Sequence, residues 1–216
     1  MAAAAAVVAA PAPSPAASSA VAGTAHAIVF LQPLGKDLPD ADVEMVATAL
    51  REFYAIDVRT LARVDLPQEA WYPPRKRWRA EKILAFLKDR VPERGDHILG
   101  LTQADVSTTK GEYEDWGVMG LGDLDGATSV ISSFRCHKKS TGAKNARERL
   151  AKTAVHEMGH NLGLDHCPNA GCLMHDAEGQ VTETDGDYDL CEHCRGLLRD
   201  AGRAIPEHPK IPWSKP

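Results

Sequence analysis

The sequence predicts an α/β fold, in which a twisted mixed sheet is covered by the helices that connect its strands. The first observation is that short apolar runs alternate with amphipathic segments in the N-terminal half of the chain, as strands alternate with crossover helices. The second is a long helical segment that carries two histidines four residues apart. The third is a cluster of four cysteines in the last quarter of the chain, which indicates a small C-terminal subdomain held by a metal or by disulfides.

The composition limits the class of protein. The 216 residues are 44% hydrophobic and 25% charged, with a formal net charge of -5, which is typical of a soluble globular chain. No basic excess indicates a nucleic-acid partner, and no apolar run approaches the roughly 20 residues of a membrane span. We therefore expect a protein that contacts neither nucleic acid nor membrane, and we expect it to be a monomer.

The two ends of the chain are predicted to lie outside the fold. Residues 1–24 are low-complexity alanine, proline and serine, which lack the side chains to build a core. We interpret them as a disordered tail; the alternative is a signal peptide, although no Lys or Arg precedes their apolar run. The expected domain covers residues 25–205, with an upper part at 25–163 and a C-terminal part at 164–205, and residues 206–216 form a second tail.

Three strands and two helices are predicted in the first half of the domain. Apolar runs bounded by turn residues predict strands, and these runs lie at residues 26–31, 54–64 and 97–102. Apolar residues at helical spacing follow the first two strands. The first helix begins near Pro39, with acidic residues suited to its first turn. The second is predicted to open at Arg75-Lys76-Arg77, which we interpret as a solvated basic face rather than an anion site.

A hairpin is predicted next. Residues 117–122 and 127–132 are strand-like and flank the turn dipeptide Asp125-Gly126. The glycines do not indicate a phosphate-binding loop, because no Lys-Ser/Thr ending and no helix follow them. We expect an edge strand here, with which an extended peptide could pair. Cys136 follows this hairpin as a free thiol without a catalytic role, since metal-assisted hydrolysis needs no thiol nucleophile.

The segment 145–162 is predicted to be one helix, because its apolar residues recur at three- and four-residue steps. It carries His156 and His160, whose rings leave the same side of the helix one turn apart. Both can therefore reach one zinc ion at about 2.0–2.1 Å. Gly163 permits a left-handed turn that ends the helix. The chain can then bring His166 back as the third ligand, and the fourth position is left for water.

Glu157 adjoins the first of these histidines and is suited to act as a general base. Zinc lowers the pKa of a bound water toward ~7, and Glu157 would accept the proton of that water as it attacks a peptide carbonyl. The sequence therefore predicts a zinc-dependent peptidase. The alternative is a catalytically inactive, zinc-stabilised module that holds an extended peptide. A zinc-ribbon nucleic-acid binder would depend on the cysteines alone, and the acidic net charge speaks against it.

The four C-terminal cysteines form two pairs. Cys167 and Cys172 are spaced C-x4-C, and Cys191 and Cys194 are spaced C-x2-C. Four thiolates without water would make a closed structural zinc site, and two disulfides are the alternative. Because Cys167 adjoins His166, we expect this second zinc to lie close to the first. The expected cofactors are two Zn²⁺ ions, one catalytic and one structural.

This order of residues resembles the archaemetzincins, a branch of the metzincin zinc metallopeptidases. Their pattern is H-E-x-x-H-x-x-G-x-x-x-C, then x4-C-x-M, about seventeen residues and C-x-x-C; here sixteen residues separate Met174 from Cys191. The resemblance covers residues 156–194. It implies that His156, His160 and His166 bind the catalytic zinc, that Glu157 is the general base and that the four cysteines bind the structural zinc.

The resemblance also implies features that the spacing does not. Met174 would be the Met-turn residue, an apolar floor beneath the histidines. The fold would be metzincin-like, with an active-site helix and a zinc-bound C-terminal subdomain. The partner would be a peptide or protein substrate. A cytoplasmic location is expected from the resemblance and from four zinc-bound thiolates; export is the alternative if residues 1–22 are a signal peptide.

Overall fold

The computed structural model describes residues 28–93, 96–203 and 205–214. The predicted tail at 1–24 and the first two residues of the predicted first strand lie outside this part of the chain. In chain order the strands are β1 (Ile28–Leu34), β2 (Asp57–Thr60), β3 (Trp71–Tyr72), β4 (Arg77–Arg79), β5 (His97–Thr102), β6 (Val106–Lys110), β7 (Tyr113–Val118), β8 (Gly120–Gly122) and β9 (Thr128–Ser132). The helices are α1 (Asp40–Tyr54), α2 (Ala80–Lys88), α3 (Ser133–Cys136), α4 (Ala143–Asn161) and α5 (Glu192–Asp200).

The main sheet has five strands in the order β2-β1-β5-β9-β8. Four of them are parallel, and β8 runs antiparallel to β9 at one edge. The predicted α/β fold with a mixed sheet and crossover helices is therefore confirmed. The predicted hairpin is also present, with β8 as its edge strand.

The sheet separates two apolar clusters. Val29 and Leu31 of β1 belong to the cluster that contains residues of α1 and α4, whereas Phe30 belongs to the cluster that contains residues of α2. This follows from the period of two along a strand, which sends successive side chains to opposite faces. Both faces are apolar because helices cover both, as parallel sheets require.

A second sheet of four short strands, in the order β3-β4-β6-β7, was not predicted. The prediction that the basic run opens a helix is wrong, because Arg75 lies in a single helical turn, Arg77 begins β4, and α2 starts at Ala80. Arg77 is paired with Asp105 at 2.8 Å and with Asp115 at 2.7 Å. Acidic partners distant in the chain thus neutralise this arginine, so it is not part of a solvated helical face.

Two element boundaries also differ from the prediction. Tyr54 was placed at the start of the second strand, but it is the last residue of α1, where its hydroxyl donates to the carbonyl of Val155 at 2.7 Å. That buried bond joins the end of α1 to α4. Residues 117–122 do not form one strand, because β7 ends at Val118 in the second sheet and β8 begins at Gly120 in the main sheet.

The expectation that residues 206–216 leave the fold is wrong for Trp213. Its side chain is only 4% exposed, its ring stacks on that of Phe53 at 6.1 Å, and its indole N–H donates to the Tyr188 carbonyl at 3.2 Å. The proline-rich composition of this segment did not indicate the contact. Burial of one large aromatic ring can hold a segment to the fold although the residues around it are poor in apolar side chains. No helix in residues 28–93, 96–203 or 205–214 is long and apolar enough to span a bilayer.

Candidate metal centres and active site

Helix α4 positions the first two histidines. Its apolar stripe is buried against α1 and the main sheet, as the spacing of the apolar residues predicts. The same helix buries Arg149, which donates to Asp185 at 2.7 and 2.6 Å, and Lys152, which donates to the carbonyl oxygens of Thr184 and Asp185 at 2.9 and 3.1 Å. These bonds fix the C-terminal part of the chain against α4.

The structure brings His156, His160 and His166 together, with one ligand nitrogen from each lying within 4.8 Å of the others. Nδ1 of His156 is 2.6 Å from the Leu173 carbonyl oxygen, and Nδ1 of His160 is 2.7 Å from that of Leu164. Because a carbonyl oxygen only accepts, each Nδ1 carries a hydrogen and each Nε2 keeps its lone pair. This tautomer is the one that presents Nε2 to a metal.

The separation of these nitrogens fits zinc. The Nε2 atoms of His156 and His160 are 3.1 Å apart, and two tetrahedral ligands with zinc–nitrogen bonds of about 2.0–2.1 Å would be about 3.3 Å apart. Burial lowers the pKa of His156 to about 3, with the neighbouring His160 as the second cause, and burial also lowers the pKa of His160. Both rings are therefore neutral at pH 7, which is the form that binds metal.

Gly163 terminates α4 as expected. Its φ is +89°, a left-handed conformation that glycine adopts without steric cost. The Leu164 amide then donates back to the Gly159 carbonyl at 2.9 Å. The chain turns here and returns His166 to the other two rings, whose centroids lie 4.9 and 5.3 Å from its own.

Glu157 is buried beside these histidines, with 6% of its surface exposed. Burial raises the pKa of its carboxyl to about 8, although a hydrogen bond from the Gly122 amide acts in the opposite direction. Its side chain lines a cavity of about 410 Å³ together with all three histidines. A buried carboxyl with high proton affinity therefore shares one cavity with the candidate metal ligands.

The glycines of β8 make room for Glu157. A Cβ on Gly120 would lie 2.4 Å from its Oε1 atom, and a Cβ on Gly122 would lie 2.9 Å from its carbonyl oxygen. Any larger residue at either position would displace the edge strand or the glutamate. This role was not predicted from the sequence, although glycine at alternate positions of an edge strand is a signal for it.

Met174 lies beneath α4. It is fully buried, and a Cβ on Gly159 would come within 2.4 Å of its sulfur. Gly159 is therefore required where the methionine passes the helix between the two histidines. The resemblance implied a place for Met174 beneath the histidines, whereas Gly159 was not singled out from the sequence.

The four cysteines form a second cluster, in which the Sγ atoms lie within 4.8 Å of one another. Cys167 and Cys191 are 3.6 Å apart, and Cys172 and Cys194 are 3.7 Å apart. A disulfide requires about 2.05 Å, whereas a zinc tetrahedron with bonds of about 2.3 Å has edges of about 3.8 Å. None of these four cysteines forms a disulfide, so the geometry fits a metal and not the disulfide alternative.

Asn161 was not singled out from the sequence. It is buried at the end of α4, and its amide donates to the carbonyls of Asp123 at 3.0 Å and Thr128 at 2.8 Å. These two bonds hold the β8–β9 hairpin against α4. The position of the edge strand beside the cavity therefore depends on hydrogen bonds from Asn161 to residues more than thirty positions away in the sequence.

The chain is similar in sequence to known proteins. Residues 37–200 match the sequence profile described as Peptidase family M54. A curated archaemetzincin of Haloquadratum walsbyi is 33% identical over 179 residues, which cover 79% of this chain and 99% of that protein. One from Methanocaldococcus jannaschii is 28% identical over 178 residues, which cover 81% of this chain and 94% of that protein.

Solved structures show the same fold. The crystal structure of archaemetzincin from Archaeoglobus fulgidus, complexed with malonate, has a TM-score of 0.66 at 29% identity and covers 78% of this chain and 98% of its own. That of archaemetzincin from Methanopyrus kandleri has a TM-score of 0.71 at 25% identity and covers 85% of this chain and 99% of its own.

Proposed function

This chain belongs to peptidase family M54 and is a zinc metallopeptidase similar to the archaemetzincins, and from this premise we propose that it hydrolyses peptide bonds at the three-histidine centre with Glu157 as the general base. The observation that carries the proposal is the burial of Glu157 in the cavity that the three histidines also line. Its substrates are peptides or proteins.

The proposed ligands of the catalytic zinc are the Nε2 atoms of His156 and His160 together with a ring nitrogen of His166. When bound, zinc supplies Lewis-acid chemistry, since it lowers the pKa of water and polarises a carbonyl oxygen. The bonds from Nδ1 to the Leu173 and Leu164 carbonyls hold two of the rings in place.

Glu157 moves the proton. Its carboxylate would accept a proton from water as the water oxygen forms a bond to the peptide carbonyl carbon. The carboxyl would then donate that proton to the leaving nitrogen as the C–N bond breaks. The raised pKa, caused by burial, suits a group that must both accept and release a proton near neutral pH.

The edge strand β8 is the proposed contact for the substrate backbone. One side of β8 pairs with β9, and β8 ends the sheet, while Gly120, Leu121 and Gly122 line the cavity. An extended peptide could therefore add to the sheet and present its scissile carbonyl beside Glu157.

We propose that the four cysteines hold a second, structural zinc and that the domain divides near residue 163. The C-terminal part then supplies this closed centre, Met174 and the third histidine. The distances of 3.6 and 3.7 Å between paired sulfurs support the second ion.

The decisive experiment is Glu157→Gln. We expect cleavage of a diverse peptide library to fall by about 10²- to 10⁴-fold, since the general base is lost, while zinc content is unchanged. The control is Glu44→Gln, which changes an exposed glutamate on α1 and should cleave like wild type. Equal trace cleavage by wild type and Glu157→Gln, insensitive to chelators, would instead support an inactive peptide-binding module.

A further inference from the structure

The three candidate ligand histidines differ in how their rings are held. His156 and His160 each place Nδ1 within 2.7 Å of a main-chain carbonyl oxygen. Within the described ranges, Nδ1 of His166 has no such carbonyl, and 46% of its side chain is exposed. A ring without a fixed second nitrogen loses rotational freedom when it binds a metal, which weakens binding. The third ring therefore needs another acceptor.

Asp176 supplies the nearest carboxylate. Its Oδ2 atom is 3.7 Å from Nδ1 of His166, so that a movement of about 0.5–1 Å would complete a hydrogen bond. Its other oxygen, Oδ1, accepts from the Glu178 amide at 2.9 Å. That bond fixes the carboxylate, so that one oxygen remains directed toward the histidine ring.

Lys110 also contacts this carboxylate. Its Nζ atom is 3.4 Å from Oδ2 of Asp176, although the two residues lie on β6 and on the segment after Met174. The neighbouring Trp116 packs against Gly179, where a Cβ would lie 2.8 Å from the indole ring. Asp176 is therefore fixed by its own loop and lies beside the second sheet.

We propose that Asp176 is a positioning residue for His166, which accepts a hydrogen bond from Nδ1 and thereby directs Nε2 at the catalytic zinc. Each of the three histidines then has one Nδ1 acceptor: two carbonyls of the main chain and one carboxylate. A carboxylate partner also increases the basicity of the ligating nitrogen. The inference rests on the proposed zinc site and adds a residue outside its ligand set.

The test is zinc affinity, measured on the full chain by competition with a chromophoric chelator. For Asp176→Asn we expect binding at the three-histidine centre to weaken by about 10- to 100-fold. The asparagine oxygen can still accept from the Glu178 amide, so the loop is preserved. For Lys110→Met, which leaves the carboxylate in place, we expect a change below about threefold. Zinc at the four cysteines should be unchanged in both variants, which verifies the fold.

A double-mutant cycle separates positioning from a general structural effect. Asp176→Asn should weaken zinc binding in the wild-type background but add nothing to His166→Ala. An equal loss in both backgrounds, or a Lys110→Met loss as large as that of Asp176→Asn, would overturn the inference. So would wild-type affinity in Asp176→Asn. If the wild-type chain binds no zinc outside its cysteines, the proposed function fails first.

Discussion

The two candidate metal centres are built on opposite principles although they share adjacent residues. The three-histidine centre has three donors, lines a cavity of about 410 Å³ and leaves His166 half exposed. The four-cysteine centre has four donors, of which Cys167, Cys172 and Cys194 are buried. Three donors beside a cavity leave one coordination position for reactants, whereas four thiolates leave none. The number of donors and the access of reactants to the metal, more than the identity of the metal, therefore distinguish a centre suited to catalysis from one that only stabilises the fold.

The junction His166-Cys167 couples the two centres. The Cys167 amide donates to the Met174 carbonyl at 2.8 Å, and the His175 amide donates to the Cys172 carbonyl at 2.8 Å. The segment that supplies the third histidine is therefore hydrogen-bonded to the segment that supplies the methionine floor. The four-cysteine centre can thus hold the geometry of the three-histidine centre without taking part in the reaction.

The largest expected effect comes from removing one ligand of the four-cysteine centre. Cys194→Ser should lose the structural zinc and destabilise the domain by several kcal/mol, because binding of a structural zinc is coupled to folding. We expect zinc content to fall from two ions to one or fewer, and the melting temperature to fall by more than about 10 °C.

His160→Ala is the matched removal of one ligand from the three-histidine centre. It should also remove one zinc ion, but it should lower the melting temperature by only a few degrees, because α4 is held by its apolar stripe and by the ion pair of Arg149 with Asp185. Metal analysis and calorimetry measure both variants. Equal thermal losses in the two variants would contradict the division into a reactive and a supporting centre.

A smaller effect is expected where Met174 contacts α4. Gly159→Ala places a methyl group 2.4 Å from the buried sulfur of Met174, and overpacking of this kind costs about 1–3 kcal/mol. We expect a lower denaturation midpoint in urea and weaker cleavage.

The control for this change is Gly196→Ala in α5, where the nearest atom to the new methyl is an arginine nitrogen at 3.8 Å. It gains the same helix propensity of about 1 kcal/mol without a collision. If the Gly159→Ala protein were as stable as the Gly196→Ala protein, the Met174 side chain would be able to move away from the new methyl group without a loss of stability.

The smallest effect concerns Cys136, which belongs to neither centre. Burial raises the pKa of its thiol to about 12, against about 8.5 for a free cysteine. At pH 8 the folded protein therefore holds this residue almost entirely as the unreactive thiol, and its reactivity should rise only above that pKa or after unfolding.

Thiol counting measures this difference. With the metal bound, the folded chain should react slowly with alkylating reagents; after removal of the metal four cysteines should react, and in denaturant five should. Cys136→Ala should keep both zinc ions and wild-type cleavage. Rapid alkylation of Cys136 in the folded protein would contradict the expected burial effect.

Much of the site could be predicted because its signals are local. The four-residue spacing of His156 and His160 aligns their rings on any helix, and Gly163 ends that helix by its own conformational preference. The edge hairpin was indicated by turn residues and strand-like flanks. The second sheet was not, because its strands are short and their pairing depends on ion pairs such as that of Arg77 with Asp115.

The sequence by itself determined the candidate metal donors, helix α4 and the mixed sheet, because side-chain chemistry and apolar periodicity act over a few residues. Only the tertiary structure decided that β8 needs glycine to pass Glu157, that Trp213 anchors the C-terminal segment and that Asp176 lies between Lys110 and His166. These features depend on contacts between distant positions, such as the 66 residues that separate Lys110 from Asp176. No local pattern encodes such contacts, since they form only when the two parts of the domain pack together.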